Sequence, residues 1–303
     1  ISTSKTIVTL NDLLTLVNDN KEIKMSEFKR QMSISKHKQT KALDYGKLDL
    51  SLQGLRTNHS GAVFAMKLNE REAKMSDLLP VDNLNYPKVR SSFETKLTFS
   101  LPLYTGGKIS AYKKITKKLI DISRLDKKNI VIQKRFEAKK GFYSIVLIKE
   151  LIMQMNTIKT NTTFLRKSVN QLNIEGFATK TDLLMIDSRL AEVDSLLSQL
   201  KTNKDLILHF LSFLTSHKIS GITHDKNDIE FKDTLDSTIL MQNIDIQKAQ
   251  IAIEIKKNQI SVASAEYLPE VGFMAEYGSN DEKLFGNFTD HDYYMAGIGV
   301  KWN

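Results

Sequence analysis

The 303-residue chain is long enough to bury a substantial core, and 44 basic against 35 acidic residues give it a formal net charge of +9. The lysines are scattered rather than clustered, which favours solvated helix faces over a nucleic-acid groove. Cysteine is absent, which excludes disulfides, thiolate metal sites and cysteine nucleophiles. No stretch approaches the about 18 apolar residues that a membrane-spanning helix requires.

The chain opens with a helical pattern over residues 8–43. Thr9 and Asp12 have the spacing of a capping box, in which a hydroxyl and a carboxylate three residues on satisfy each other's free backbone amides. A break is expected near Asp19 and Asn20.

Two strands are predicted next. Residues 44–57 alternate polar and apolar side chains, as in a strand with one wet and one dry face. Residues 58–92 show little regular period and are expected to form a long loop, which would be extracellular if the strands cross an outer membrane. A second alternating strand covers 93–104. Its Pro102 is expected at the strand end, where a missing amide donor does little harm.

A long helical hairpin follows. The pattern over 108–173 predicts one helix of about 100 Å, with Gly141 as a possible bend. A turn over 174–182 joins it to a return helix over 183–216. Apolar residues of the return helix alternate three and four apart, which is typical of a coiled coil, although an ordinary helical hairpin fits the same pattern. The seam is expected to consist of Leu183, Ile186, Leu190, Val193, Leu197, Leu200, Ile207, Leu211 and Leu214 on the return helix, and Leu151, Met155, Ile158, Thr162, Leu165, Val169 and Leu172 on the outgoing helix.

The opening pattern then returns. A polar linker over 217–235 precedes a helix over 236–266, a strand over 268–278, a loop over 279–292 and a strand over 293–303. The chain is therefore interpreted as an internal duplication that stops where the second long hairpin would begin, and we expect it to be truncated there.

Aromatic residues lie near the predicted strand ends. Tyr45, Tyr104, Tyr267 and Trp302 suit the aromatic girdle of a membrane barrel, whereas a small soluble sheet with core aromatics is the alternative. Four strands cannot close a barrel, and open edges in lipid leave costly unpaired amides. Strands in a membrane would therefore require several copies of the chain to share one barrel.

Four motifs in this order resemble those of the TolC-like outer-membrane efflux proteins. Residues 9–14 are similar to the opening helix of that family, and 63–69 with 84–87 to a loop of one branch. Residues 101–107, with Pro102, Gly106 and Gly107, look like its strand-to-helix junction. Residues 176–184, Gly-Phe-Ala-Thr-Lys-Thr-Asp-Leu-Leu, look like its hairpin tip. The sequence departs from the family at Leu172, where a basic residue is usual.

The resemblance implies a fold that is mainly α with a β-barrel part: a coiled-coil hairpin and four transmembrane strands per chain, assembled as a homotrimeric tube. It implies an outer-membrane location extending into the periplasm of a Gram-negative cell, and a passive exit duct for a tripartite efflux pump or type I secretion system. A periplasmic adaptor and an inner-membrane transporter would be its partners. The adaptor would dock at the tip through Gly176, Phe177, Thr181, Asp182, Leu183 and Leu184. Without a second hairpin, the chain is not expected to form a closed tube.

No catalytic motif is recognisable. The histidines have no metal-ligand spacing, and Asp290-His291-Asp292 reads as a polar loop rather than a metal site. Gly106-Gly107-Lys108 lacks the rest of a phosphate-binding loop. We therefore predict a non-enzyme without cofactors that does not bind nucleic acid. A soluble coiled-coil scaffold or adaptor remains the alternative, and a basic nucleic-acid binder is a third, less favoured hypothesis.

Overall fold

The computed structural model describes residues 6–224, 243–284, 286 and 289–302. They form two compact units, one built from residues up to 31 and 122–247, the other from 32–121 and 248–303. One continuous helix, α5 (Lys108–Ile174), contributes to both units.

The core of the first unit surrounds a short parallel pair of strands that the sequence did not reveal. Strand β1 (Thr6–Val8) pairs with β4 (Ile219–Ile222), and α1 (Leu10–Leu16) follows β1. Strand β4 lies inside the segment predicted as a linker. Residues 225–235 of that segment and the start of the predicted 236–266 helix lie outside the described residues. The fully buried side chains include Leu13, Phe142, Ile145 and Leu211, so α1, α5 and α6 (Lys180–Thr215) pack on this strand pair.

The first predicted helix is interrupted at Asn20. The 3₁₀ turn Val17–Asp19 separates α1 from α2 (Lys21–Ala42). The buried Asn20 side chain accepts from the Glu22 amide (2.8 Å) and donates to the carbonyl of Leu214 (2.7 Å). One side chain therefore caps the start of α2 and binds the end of α6, which explains the break.

Helices α5 and α6 run antiparallel from the turn. Arg166 donates to Asp187 (Nη2 to Oδ2, 3.3 Å), and Lys159 pairs with Asp194 (2.6 Å), seven residues further from the turn on each helix. Further on, Gly141 lies against Leu211: a Cβ at Gly141 would be 2.8 Å from Leu211 Cδ2. Gly141 therefore permits a close approach of the helices, and α5 remains continuous through it.

The predicted seam holds on α6 and needs correction on α5. All nine apolar seam positions of α6 are buried or half-buried. On α5, Met155, Thr162 and Val169 are half-buried, but four members of the predicted seam are exposed. The residues that contact α6 include Lys159 and Arg166, whose charged heads reach aspartates of α6. The exposed four form a stripe at intervals of seven residues: Leu151, Ile158, Leu165 and Leu172.

The second unit contains a four-stranded antiparallel sheet. Its strands are β2 (Lys47–Thr57), β3 (Arg90–Thr105), β5 (Glu270–Asp281) and β6 (Asp292–Lys301), in the order β2-β3-β5-β6. Among the described residues, β2 and β6 each pair on one side only, so both edges of the sheet are open.

The same order of elements occurs twice around this sheet. Helix α2 passes through a 3₁₀ turn (Leu43–Tyr45) into the β2/β3 hairpin, and α7 (Ile244–Ser264) passes through a 3₁₀ turn (Ala265–Tyr267) into the β5/β6 hairpin. All three helix connections enter or leave the sheet at one end, and both strand-to-strand loops lie at the other.

The predicted 58–92 loop is partly helical. It contains α3 (Ser60–Asn69), a 3₁₀ turn (Met75–Asp77) and α4 (Val81–Asn85). The side chain of His59 caps α3 by accepting from the Ala62 amide (3.4 Å). Ten residues give too few helical turns for a clear period, which is why the sequence pattern missed α3.

Candidate functional site

The pairing register gives the sheet two chemically different faces. Residues directly opposite each other share a face, and Leu50 pairs with Leu97, which pairs with Tyr277, which pairs with Tyr294. The apolar face comprises Leu48, Leu50, Leu52, Leu97, Phe99, Leu101, Val271, Phe273, Ala275, Tyr277, Tyr294, Ala296, Ile298 and Val300. Leu50 is 74% exposed and Ile298 68%, so this face is a broad uncovered apolar surface.

The opposite face is polar. It carries Lys47, Asp49, Ser51, Gln53, Ser92, Glu94, Lys96, Thr98, Ser100, Glu276 and Tyr293, with Gly272, Gly297 and Gly299 towards the helix end. Three apolar side chains, Leu55, Met274 and Met295, lie among them. The hydroxyl of Tyr293 lies 3.0 Å from Glu94 Oε1 and 3.1 Å from Glu276 Oε1, and Lys96 Nζ lies 3.7 and 3.8 Å from the same two atoms. A Cβ at Gly278 would meet the Tyr293 ring at 2.9 Å, so this glycine leaves room for the tyrosine to lie across the sheet.

The four predicted girdle aromatics gather at one end of the sheet. Tyr45 precedes β2, Tyr104 is near the end of β3, Tyr267 precedes β5 and Trp302 follows β6; this is the end where the helices join. Tyr45, Tyr267 and Trp302 are at least 74% exposed, and the Trp302 indole donates to the Tyr267 carbonyl (3.2 Å). The sheet therefore ends in a row of amphipathic rings at the helix side.

A β-bulge places Tyr104 in that row. The β3–β5 register shifts between Pro102 and Tyr104: Pro102 pairs with Gly272 on the polar face, whereas Tyr104 pairs with Val271 on the apolar face. Strand β3 continues for three residues beyond Pro102, to Thr105, whereas its pairing with β2 ends at Ser100. The bulge accommodates the proline near the end of the strand, where β2 no longer pairs with β3, and turns Tyr104 to the other face.

The two junction glycines allow β3 to turn into α5. Gly106 (φ +60°) and Gly107 (φ +84°) both lie in the left-handed region. A Cβ at Gly106 would lie 2.9 Å from the Ala265 carbonyl oxygen and 2.9 Å from Leu268 Cβ, so a side chain is excluded there on two grounds.

The helical tip is closed by backbone hydrogen bonds. The amide of Phe177 donates to the carbonyl of Leu172 (2.8 Å), and the amide of Gly176 donates to the carbonyl of Asn173 (3.1 Å). These two hydrogen bonds form the Schellman motif at the end of α5. Gly176 has φ +82° with nothing within 4 Å of a Cβ, so it is required by its backbone conformation alone. The Asn173 side chain donates to the Ala178 carbonyl (2.7 Å).

Asp182 caps the start of α6. It accepts from the Thr179 amide (2.8 Å), while the Thr179 hydroxyl accepts from the Asp182 amide (3.2 Å). Hydrogen bonds from the Thr179 side chain and then its amide hold the pKa of Asp182 below its usual range. Because this pKa is lowered by folding, the cap is intact at neutral pH and is lost only as the pH falls through the lowered value.

Different residues of the tip therefore have different roles. Gly176 and Asp182 shape its backbone, and Leu183 is half-buried. Phe177 (81% exposed) and Leu184 (59% exposed), with the neighbouring Ile174, present apolar side chains to solvent, and Thr181 is exposed beside them.

The sequence did not reveal the side-chain network at the loop end of the sheet. Arg90 there binds Glu70, Glu72 and Glu282. Its members come from three separate segments, so no local spacing signals it. Within the described ranges, no group of three or more histidine or acidic side chains could hold a metal ion, and no helix is long and apolar enough to cross a membrane.

No protein-family model matches the sequence, and no curated protein matches it. Among solved structures, a likeness extends over nearly the whole chain. The structure of CusC, described with its folding and transmembrane channel formation, is 14% identical with a TM-score of 0.76, over 97% of this chain and 65% of that one. The chain has a TolC-like fold.

Two further structures carry the same fold. The Campylobacter jejuni CmeC outer membrane channel is 17% identical with a TM-score of 0.73, over 97% of this chain and 61% of CmeC. The open state of the Neisseria gonorrhoeae MtrE outer membrane channel is 11% identical with a TM-score of 0.72, over 100% of this chain and 67% of MtrE. The chain thus spans about two thirds of the length of these channels, and the predicted TolC-like fold is confirmed.

The geometry of the tip predicts the effect of replacing Gly176. Gly176→Ala should destabilise the hairpin by about 1–2 kcal/mol, because alanine is strained at a positive φ. In the full-length protein, hydrogen exchange of the Phe177 and Ala178 amides should accelerate. Thr181→Ala, at an exposed position of the same tip, should leave exchange at those amides unchanged. Equal protection in wild type and Gly176→Ala would contradict this account of the tip.

Proposed function

We propose that the chain is a subunit of an outer-membrane channel, a passive exit duct of a tripartite efflux pump or a type I secretion system. The observation that carries the proposal is the two-faced sheet: an uncovered apolar face continuous across four strands, backed by a polar face and bounded at the helix end by aromatic rings. An apolar outer face, a polar inner face and an aromatic girdle are the features of a membrane barrel. The TolC-like fold supports the same conclusion, and a duct of this kind needs no catalytic residue.

The open edges of the sheet indicate more than one copy. Unpaired strand edges cost several kcal/mol per group in lipid. Pairing β6 of one chain with β2 of the next would satisfy both edges, and three chains would supply twelve strands. A homotrimer closed in this way, with its apolar face in outer-membrane lipid, accounts for both edges without further elements.

Exposed helix stripes support such an assembly. Leu151, Ile158, Leu165 and Leu172 recur every seven residues on α5, and Ile246, Ile253 and Ile260 do so on α7. Heptad spacing keeps each set on one helix face, as in helices that pack on neighbours. In the proposed tube, these stripes contact helices of adjacent subunits, and the helices extend into the periplasm.

The tip is the proposed docking point of a periplasmic adaptor, which would link the duct to an inner-membrane transporter. Phe177 and Leu184 are exposed apolar side chains on a backbone fixed by the Schellman bonds and the Thr179–Asp182 cap. A rigid support with exposed aromatic and aliphatic groups is suited to a protein interface.

A pair of neighbouring substitutions tests the membrane assignment. Leu50 pairs with Leu97, in the middle of β3, and faces the apolar side, whereas Ser51 faces the polar side. Leu50→Arg should destabilise the protein folded in lipid vesicles by about 2–4 kcal/mol, whereas Ser51→Arg should cost less than about 1 kcal/mol. Denaturant titration in vesicles measures both. Equal effects, or recovery of the wild type in the aqueous fraction without lipid, would favour a soluble scaffold instead.

The docking proposal is tested by truncating side chains that do not shape the tip. In the full-length protein, Phe177→Ala and Leu184→Ala should each weaken binding to a purified adaptor by about 2 kcal/mol, the loss that marks an anchor residue of an interface. Phe164→Ala removes a phenyl ring of similar exposure (72%) from α5, away from the tip, and should leave binding unchanged. Unaltered binding in Phe177→Ala and Leu184→Ala, or an equal loss in Phe164→Ala, would contradict docking at the tip.

A further inference from the structure

Helix α3 lies over the polar face of the sheet at its loop end. Ala62, Ala65, Met66 and Asn69 of α3 line one cleft together with Gln53, Ser92, Glu94 and Asn280 of the sheet. These sheet residues are contiguous in the register and belong to the polar face. Ser92 and Asn280 are buried although they lie on that face, and Val63 and Met66 of α3 are buried opposite them. The helix therefore covers this part of the polar face.

The C-terminal end of α3 is fixed to the sheet by a buried charge network. Glu70, directly after α3, has a fully buried side chain and binds Arg90 at the start of β3. Arg90 also contacts Glu282, directly after β5, at 2.8 Å. Breaking a buried ion pair is costly, because it leaves an uncompensated buried charge.

A second anchor reaches the far edge of the sheet. Arg71 donates to the backbone carbonyls of Asp290 (2.9 Å) and Asp292 (2.7 Å), at the start of β6. Because β2, which leads into α3, is at the opposite edge, the segment from Thr57 to Arg71 crosses the full width of the sheet. Nothing in the function proposed above requires a helix in this position.

We infer that α3 narrows the extracellular mouth of the duct, and that Arg71 and the Arg90 network hold it on the bore-facing side of the sheet. The inference rests on the proposed function, because only there does the polar face line a water-filled bore and the loop end face the cell exterior. Three copies would bring three such helices to one opening. The mouth would then admit small solutes from outside while excluding large ones, and release of the Arg71 anchor would widen it.

Cysteine labelling tests this inference, since the sequence contains no cysteine. Thr98→Cys, in the full-length protein in intact cells, places a thiol on the polar face, nearer the helix end than α3. Two membrane-impermeant thiol reagents are added outside, one small and one attached to a long polymer. The small reagent should label Thr98→Cys readily and the large one slowly.

Arg71→Asn should raise the labelling rate of the large reagent about tenfold, because hydrogen bonds from a charged donor each contribute on that scale. Asparagine tolerates the positive φ of Arg71 (+54°), so the backbone is preserved. Replacing residues 60–69 by a short Gly-Ser linker should have the same or a larger effect. Arg56→Asn is the control, because it removes the same charge at the same end of the sheet. Among the bonds described, the Arg56 guanidinium contacts the nearby Ser91 hydroxyl alone (3.4 Å). This variant should leave the labelling rate of the large reagent unchanged.

The outcomes separate this inference from the proposed function. An unchanged large-reagent rate in both Arg71→Asn and the linker variant would overturn the constriction while leaving the duct intact, as would an equal rise in Arg56→Asn. A further variant, Leu50→Cys, lies on the apolar face and should resist both reagents. If the small reagent labels Leu50→Cys as fast as Thr98→Cys, the sheet does not separate lipid from water, and both proposals fall.

Discussion

The structure depends on one constraint, which is that every backbone amide of a strand needs a partner. The four-stranded sheet satisfies its internal amides through a register without interruption from Lys47 to Thr57, and it leaves the outer edges of β2 and β6 open. Most of its side chains divide into an apolar and a polar face, although Met274 and Met295 lie on the polar face. A sheet with open edges and a bare apolar face is unstable alone in water and in lipid alike. The function proposed above completes both edges with further copies of the chain, and it gives the exposed stripes on α5 and α7 helices to pack against.

Irregular backbone occurs where the chain changes from one kind of structure to another. The bulge after Pro102 turns Tyr104 onto the apolar face, just before Gly106 and Gly107 redirect the chain into α5. At the far end of the hairpin, Gly176 ends one helix and Thr179 starts the next. In each case the local geometry positions an aromatic side chain, Tyr104 or Phe177, at a proposed boundary with lipid or protein.

Much of this arrangement could be predicted from the sequence, because long elements carry a clear period. Strict alternation predicted the four main strands, and the 3-4 spacing predicted the buried side of α6. Strands β1 and β4 were missed because three or four residues show no period. The seam of α5 was misplaced because Lys159 and Arg166 occupy positions that contact α6, where their charged heads pair with aspartates. The loop-end network of Arg90 could not be predicted, since Glu70 and Glu282 come together only through the sheet.

In the proposed barrel, successive residues of β3 face lipid and water in turn. This alternation is tested most directly with spin labels on single cysteines, placed one at a time at positions 93 to 104. The full-length protein is reconstituted in lipid vesicles, and collisions of each label with oxygen and with a water-soluble nickel complex are measured. The collision rate with oxygen, which concentrates in lipid, should be highest at positions 93, 95, 97, 99 and 101. The collision rate with the nickel complex should be highest at the even positions between them. Beyond the bulge the alternation should reverse, so that position 104 collides mainly with oxygen. Equal access of the nickel complex to both sets of positions would contradict it.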